Sequence, residues 1–185
     1  MNASQFGAMT KKHARLIANY INDEAPGMVI RKTLRFIDGN FRAQGWQGAT
    51  FQPWKGIQRK GTILVKTGAL RRSFNYSNLS KGTVRFYSNM PYSGVHNRGF
   101  KGTVTVKAHS RSIYEKHRVQ ATTRSGKVRA KTVTSKTGEI WVRTFTRKMN
   151  VVKRQYAPYE GNESPVMNDS ISRELTRETK KLLTF

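Results

Sequence analysis

Few side chains in this sequence could do chemistry, and their spacing gives no recognisable catalytic or metal site. The four histidines are His13, His96, His109 and His117, and no two of them stand at a metal-ligand spacing with a nearby acid. The chain has no cysteine, which excludes thiolate metal sites and disulfides. It has no phosphate-binding loop of the Walker or dinucleotide type. We therefore expect no cofactor, no metal ion and no enzymatic activity.

The adjacent residues His96 and Asn97 come closest to suggesting a catalytic pair. Gly94 and Gly99 flank them, and glycine permits the positive φ angles that tight turns need. We interpret this segment as a structural turn between two strands.

Charge is the strongest signal in the composition. The 185 residues include 35 basic and 10 acidic side chains, for a net charge of +25. Such an excess favours a polyanionic neighbour, such as nucleic acid, an acidic protein surface or an anionic membrane. No carboxylate lies between Asp38 and Glu115, so the middle of the chain is the basic part. No run approaches the roughly 18 apolar residues of a membrane span, and no membrane partner is expected.

Residues 62–99 are predicted to form the hairpin around which the rest is organised. The apolar run 63–65 predicts its first strand and the alternating run 84–88 predicts its second. Residues 75–82, rich in Asn, Ser and Gly, predict the turn between them. Gly68, after Thr67, is interpreted as a bulge or a close backbone approach inside a strand, with Leu70 pointing into the core.

Helices are predicted on both sides of this hairpin. Apolar residues at three- and four-residue spacing predict helices over 9–21 and 26–41, separated by a break at 23–26. Ser164 and Pro165 mark the start of a C-terminal helix. Trp46 and Trp54 lie in a loop and are expected to cover an edge of the core, with base stacking as the alternative. The sequence thus predicts an α+β fold in which N-terminal and C-terminal helices pack on an antiparallel β-sheet.

Residues 100–154 are predicted to be a long basic β-arm that projects from a single domain spanning 1–185. Strand-like pieces occur at 104–111, 127–134 and 140–147, with turns at 124–126 and 135–138. The segment holds fifteen basic and two acidic residues. Most of its length is polar on both faces, so it would need a partner to be covered. The cations expected to contact a partner or DNA are Lys107, Arg111, Arg129, Lys131, Arg143 and Arg147.

Two short motifs together resemble a known family. The first is Thr67-Gly68-Ala69-Leu70-Arg71-Arg72-Ser73, and the second is Tyr92 followed by Val95-His96-Asn97-Arg98-Gly99. At this spacing they resemble the phage virion morphogenesis proteins, which include the Mu-like tail completion proteins and related neck proteins of long-tailed bacteriophages. The resemblance covers roughly 9–99 and 156–183. The family's Pro-Arg-Phe-like sequence before the last helix has only a loose counterpart at 154–161.

The resemblance implies a non-enzymatic structural protein of the virion neck, assembled in the host cytoplasm. It implies a homo-oligomeric ring, expected to be a hexamer, that joins the head connector or adaptor proteins to the tail terminator or tail tube protein. The motif positions Thr67, Gly68, Leu70, Tyr92, His96 and Gly99 are expected to be structural. The arm lies in a variable region of the family and receives no role from it.

The alternative hypothesis is a basic protein that binds nucleic acid without sequence preference. The net charge supports it, because each phosphate contact releases counterions. No reading helix, zinc finger or aromatic RNA motif is visible to give specificity. Non-specific contact with genomic DNA is also compatible with a role in the neck.

Overall fold

The computed structural model describes residues 2–58, 60–122 and 126–183, and it begins with a nearly continuous helical segment. Helix α1 (Ala3–Asn19) is followed by a π-helical turn (Tyr20–Glu24) and by α2 (Ala25–Ala43). The break predicted at 23–26 is wrong, because the backbone stays helical there. Pro26 cannot donate the usual hydrogen bond one turn back, and the wider π turn accommodates it.

A short pair of β-strands follows α2, and we call the segment 45–54, which contains Trp46 and Trp54, the tryptophan loop. Strand β1 (Gly45–Gln47) pairs antiparallel with β2 (Phe51–Pro53). Trp46 is 5% exposed and Trp54 is 8% exposed, which confirms the prediction that they cover the core. Because both rings are covered, neither offers a face on which a base could stack.

The central hairpin forms from different residues than the sequence predicts. Strand β3 (Phe74–Ser80) pairs antiparallel with β4 (Thr83–Ser88), and Gly82 lies between them with a φ of +71°. The predicted second strand is therefore confirmed, but the predicted turn at 75–82 is mostly strand. Residues 63–65, the predicted first strand, form turns that pack against the core. A short apolar run fits a buried turn as well as a strand, and periodicity cannot separate the two.

Residues 93–98, expected to be an irregular turn, form the short helix α3 (Ser93–Arg98). Gly94 lies within this helix and does not adopt a positive φ. Gly99 does, with a φ of +79°, and a Cβ added there would meet the backbone nitrogen of Lys153 at 3.0 Å. Gly99 is thus required by both conformation and space, as predicted, whereas Gly94 is not.

The chain divides into two compact units, and Lys101–Asn150 is the second. In this part of the chain β5 (Phe100–Val106) pairs with β8 (Phe145–Val151), and β6 (His109–Thr122) pairs antiparallel with β7 (Val128–Val142). The first and third predicted pieces each run across a gap between strands. That these strands stand off the core as an arm stays a prediction.

Two turns are predicted inside this unit, at 135–138 and at 124–126. The turn predicted at 135–138 is wrong, because these residues lie within β7. The β6–β7 register shifts there, where Gly138 pairs with Ile113 and Lys136 with Tyr114. A glycine in a strand often marks such a bulge. The other turn, predicted at 124–126, lies outside the described residues except for Gly126, whose φ is +77°.

The last helix, α4 (Pro165–Leu183), begins where the sequence predicts. Ser164 Oγ accepts a hydrogen bond from the Met167 N–H at 3.2 Å and donates one to the Gln47 carbonyl at 2.6 Å. The helix packs against α1 and α2, whereas we expected it to pack on the sheet. No helix within the described ranges is long and apolar enough to cross a membrane. The α+β class with antiparallel strands and terminal helices is confirmed.

The core of the first unit is an aromatic cluster built on α2. Phe41 stacks on Tyr156 with ring centroids 4.9 Å apart, and Trp54 meets Phe41 edge-on at 5.6 Å. Aromatic pairs in these geometries stabilise beyond the area they bury. The buried members of the cluster are Ile37, Phe41, Trp54, Leu70 and Tyr156.

Leu70→Ala should destabilise the first unit by about 2–5 kcal/mol, because it removes a large side chain that is 4% exposed and leaves a cavity. Urea unfolding followed by tryptophan fluorescence measures the change. The matched control is Leu79→Ala, whose side chain is 62% exposed. The control should change the free energy of unfolding by no more than about 0.5 kcal/mol. Equal effects of the two substitutions would contradict the assignment of Leu70 to the core.

Candidate partner-binding site

The segment 155–157 has no strand partner, and side chains satisfy its backbone instead. Asn40 of α2 donates from Nδ2 to the Tyr156 carbonyl at 3.0 Å. Trp54 donates from Nε1 to the Gln155 carbonyl at 2.7 Å. A buried backbone carbonyl without a partner would be costly, so these bonds hold the segment in one place.

Asn97 ties α3 to the same segment. Its Oδ1 accepts hydrogen bonds from the N–H groups of Tyr156 at 2.8 Å and Ala157 at 3.0 Å. Its Nδ2 donates to the Ala157 carbonyl at 3.0 Å. The amide is therefore occupied by the backbone, and it has no role as a partner of His96. This geometry favours a structural role for Asn97. The residue lies in a helix and not in the predicted turn, and it holds that helix to the segment 155–157.

The Tyr156 hydroxyl adds a second link to α3. It donates to the Ser93 carbonyl at 2.5 Å, and the Ser93 hydroxyl lies 3.0 Å from it. Burial raises the pKa of Tyr156 to about 12. The Arg154 N–H also donates to the His96 carbonyl at 2.9 Å. Helix α3 is thus fixed at both ends, and with it the direction of the His96 ring.

The two sequence motifs, far apart along the chain, meet around one open pocket of about 290 Å³. Thr67, Gly68 and Leu70 of the first motif line it, and Tyr92 and His96 of the second line it as well. We call this cavity the motif pocket. The structure therefore brings together five of the six motif positions singled out in the sequence, and the sixth, Gly99, ends α3.

The first motif is anchored to α2 by an ion pair. Arg71 donates from Nε to the Asp38 carboxylate, and this hydrogen bond lowers the pKa of Asp38. Arg72 donates to the Thr67 carbonyl at 2.9 Å and closes the motif loop on itself. Gly68 has a φ of +72° in this loop. The predicted bulge inside a strand is wrong, because the glycine serves a turn.

The charge around the motif pocket is positive. Lys66 and Arg154 line it, and no carboxylate of the described residues does. The Arg154 guanidinium donates twice to the Lys55 carbonyl at 3.1 Å, so the pocket wall holds it in place without neutralising it. Sequence analysis did not select these two cations, although Lys66 directly precedes the first motif.

His96, which lines the motif pocket, has a buried ring nitrogen, Nδ1, that has no hydrogen-bond partner among the described residues. Burial, and secondarily the positive charge of Arg154, lowers the pKa of His96, so the imidazole is neutral near pH 7. The ring meets Tyr92 edge-on with centroids 5.8 Å apart. A buried polar atom without a partner is uncommon in native proteins and needs an explanation.

The pocket wall also holds strained backbone. Leu64 has a φ of +59°, a left-handed conformation that is rare for a bulky side chain. The side chain of Gln44, at the end of α2, accepts from the Ile63 N–H at 2.6 Å and donates to the Ile63 carbonyl at 3.4 Å. Strain of this kind persists where the surroundings enforce it, often at binding sites.

The six cations selected in the basic segment lie elsewhere, in and beside the strands of residues 100–151. All are exposed, and none makes an ion pair within the part of the chain that the structure describes. They are Lys107, Arg111, Arg129, Lys131, Arg143 and Arg147. Three or more metal-binding side chains do not cluster anywhere in the described residues.

The Tyr156 phenol should make stability fall in alkali. Its folded pKa of about 12 lies above that of an exposed tyrosine, which is about 10, so unfolding releases protons between these pH values. The stabilisation is fully present below pH 10 and is lost as the pH rises toward 12. Tyr156→Phe lacks this titration. The free energy of unfolding of the wild type minus that of the variant, measured in urea, should therefore decrease by about 2 kcal/mol from pH 9 to pH 12. A constant difference would contradict the burial of the phenol.

In comparisons with known proteins, no family model, no curated protein and no solved structure matches the chain.

Proposed function

We propose that this chain is a structural virion protein of a tailed bacteriophage. In this proposal it is a neck or tail completion protein that forms an oligomeric ring between the head connector and the tail terminator or tail tube. The protein acts by contact and performs no reaction.

The observation that carries the proposal is the convergence of the two motifs. The resemblance rests chiefly on these motifs, and they are separated by the whole β3–β4 hairpin in the sequence. The pairing of Phe74 with Ser88 in the hairpin brings the motifs together, and Leu70 of the first and His96 of the second line the motif pocket. A pocket shared by both motifs supports treating the pair as one unit.

The β6–β7 pair supports a role in assembly. It is a two-stranded ribbon, and each face carries large exposed apolar side chains. Tyr114 and Trp141 share one face and are 60% and 70% exposed, whereas Ile113 and Ile140 on the other face are 37% and 41% exposed. An isolated ribbon of this kind is marginally stable in water, so it is typical of a surface that a partner covers.

If the proposal is right, the purified chain mixed with the connector and tail proteins of its phage should appear as ring-shaped density at the head–tail joint in electron micrographs. The chain alone should form closed rings, since head-to-tail contacts give a ring when the rotation between neighbouring copies closes. Labelling the chain with gold beads assigns the density. A monomer at all concentrations that is absent from purified virions would overturn the proposal.

Non-specific nucleic-acid binding is the second candidate, and the charge of the ribbon favours it. Lys101–Asn150 contains thirteen basic and two acidic residues, and Lys136–Glu139 is the ion pair that the structure records within its described part. The β6 strand of 14 residues spans about 46 Å, long enough to follow a duplex backbone. Exposed Trp141 and Tyr114 could stack on unpaired bases.

Salt dependence tests this candidate. Binding of a fluorescent duplex should weaken as salt rises, with log K falling linearly against log salt concentration. Arg129→Gln should reduce the steepness of that slope by about 0.9, the value for one phosphate contact. The control, Lys11→Gln, removes an exposed cation of α1 and should leave the slope unchanged. No binding near 150 mM salt, or equal effects of the two variants, would remove this candidate.

A further inference from the structure

We infer that the motif pocket receives the acidic turn of a second copy of this chain, residues 21–24, so that copies associate head to tail. The inference rests on the proposed ring and identifies the contact that would build it. The two sequence motifs would then form the receiving half of a subunit contact, which the resemblance by itself does not say.

The pocket has the chemistry of a receptor for a carboxylate beside an apolar side chain. Leu70 and Ile63 give it an apolar lining, and Lys66 and Arg154 give it positive charge that no carboxylate of the described residues offsets there. His96 also lines the pocket, and its buried Nδ1 would exchange a hydrogen bond with an incoming group only after the ring turns. A carboxylate placed among these groups would gain charge-assisted hydrogen bonds.

The acidic turn has the complementary chemistry. Asp23 and Glu24 are the one place in the sequence where two carboxylates are adjacent. Both are exposed, and neither forms an ion pair with the residues that the structure describes. Ile21, in the same π-helical turn, is 46% exposed and supplies the apolar contact.

Further carboxylates lie near this turn. After burial, the negative charges of Glu178, Glu174 and Glu24 raise the pKa of Tyr20 in the same turn, and the positive charge of Arg177 opposes them. Glu174 and Glu178 are each paired with basic side chains, as are Asp38 and Glu139, whereas Asp23 and Glu24 are not paired within the described part of the chain.

The two surfaces lie at opposite ends of α2. Asp23 and Glu24 directly precede its first residue, and Gln44, which follows its last, holds Ile63 in the pocket wall. A helix of 19 residues is about 28 Å long, so a subunit cannot insert its own turn into its own pocket. Different surfaces on opposite ends of one body give heterologous contacts, which close into rings or continue as filaments.

Charge reversal tests the inference by sedimentation velocity. Lys66→Glu changes an exposed side chain that forms no ion pair with the described residues, and Asp23→Lys with Glu24→Lys reverses the charge of the turn. Each variant alone should associate at least tenfold more weakly than the wild type. An equimolar mixture of the two should recover association, because each variant's pocket then meets a turn of opposite charge. Lys11→Glu makes the same charge change on α1 and should associate like the wild type.

A peptide titration tests the pocket directly. The Asp23→Lys, Glu24→Lys variant keeps its own pocket, and a terminally blocked peptide Ile-Asn-Asp-Glu serves as the probe. Binding should shift the His96 ring signals in the NMR spectrum and raise the pKa of His96, because a nearby carboxylate favours imidazolium. Tyr92 contacts this ring, Arg154 acts on its charge, and Lys66 lines the same pocket. The peptide Ile-Asn-Asn-Gln is the matched control and should not bind.

The outcomes separate this inference from the proposed function. Rings that form unchanged in the Lys66→Glu variant would overturn the inference and leave the ring proposal standing. Loss of association in the single variants without recovery in the mixture would also overturn it, because the pocket and the acidic turn would then not be in contact with each other. A wild-type chain that stays monomeric at all concentrations would overturn both, whereas wild-type rings that are absent from virions would overturn the proposed function alone.

Discussion

Hydrogen bonding of the segment 155–157 by side chains is the constraint on which the first unit depends. This segment lies at the centre of the core, yet it belongs to no strand. Asn40, Trp54 and Asn97 supply the partners that a neighbouring strand would otherwise give. Each comes from a different part of the chain, so the segment joins α2, the tryptophan loop and α3. Amide side chains suit this task because each donates and accepts at once.

The motif pocket is a product of that arrangement. Because α3 is held by Asn97 and Tyr156, the His96 ring is directed toward the loop of the first motif. That loop is held in turn by the Arg71–Asp38 ion pair to α2. These two anchors therefore define the cavity, and His96 is one of the residues that line it. The site is rigid in its supports and open at its mouth.

Sequence reasoning predicted the elements with strong periodicity and failed where side chains replace regular pairing. Both long helical regions, β4 and the cap at Ser164 follow from local patterns. Residues 63–65 were misassigned because a buried turn and a strand share an apolar run. The roles of Asn40 and Asn97 could not be predicted, since their partners lie more than 50 residues away. The motif residues were found, but Lys66 and Arg154 were missed because neither belongs to either motif.

The ribbon of β6 and β7 has a consequence for how the protein must be handled. With two strands, each strand is an edge, and each offers unpaired backbone groups to any extended chain. Repulsion between like charges on neighbouring molecules opposes such pairing at low ionic strength. Near physiological salt, that repulsion is largely screened for charges more than about 8–10 Å apart. Strands of separate molecules should therefore pair with each other most readily at high protein and high salt concentration. The lysines and arginines of this ribbon thus oppose aggregation through its edges, in addition to any binding role.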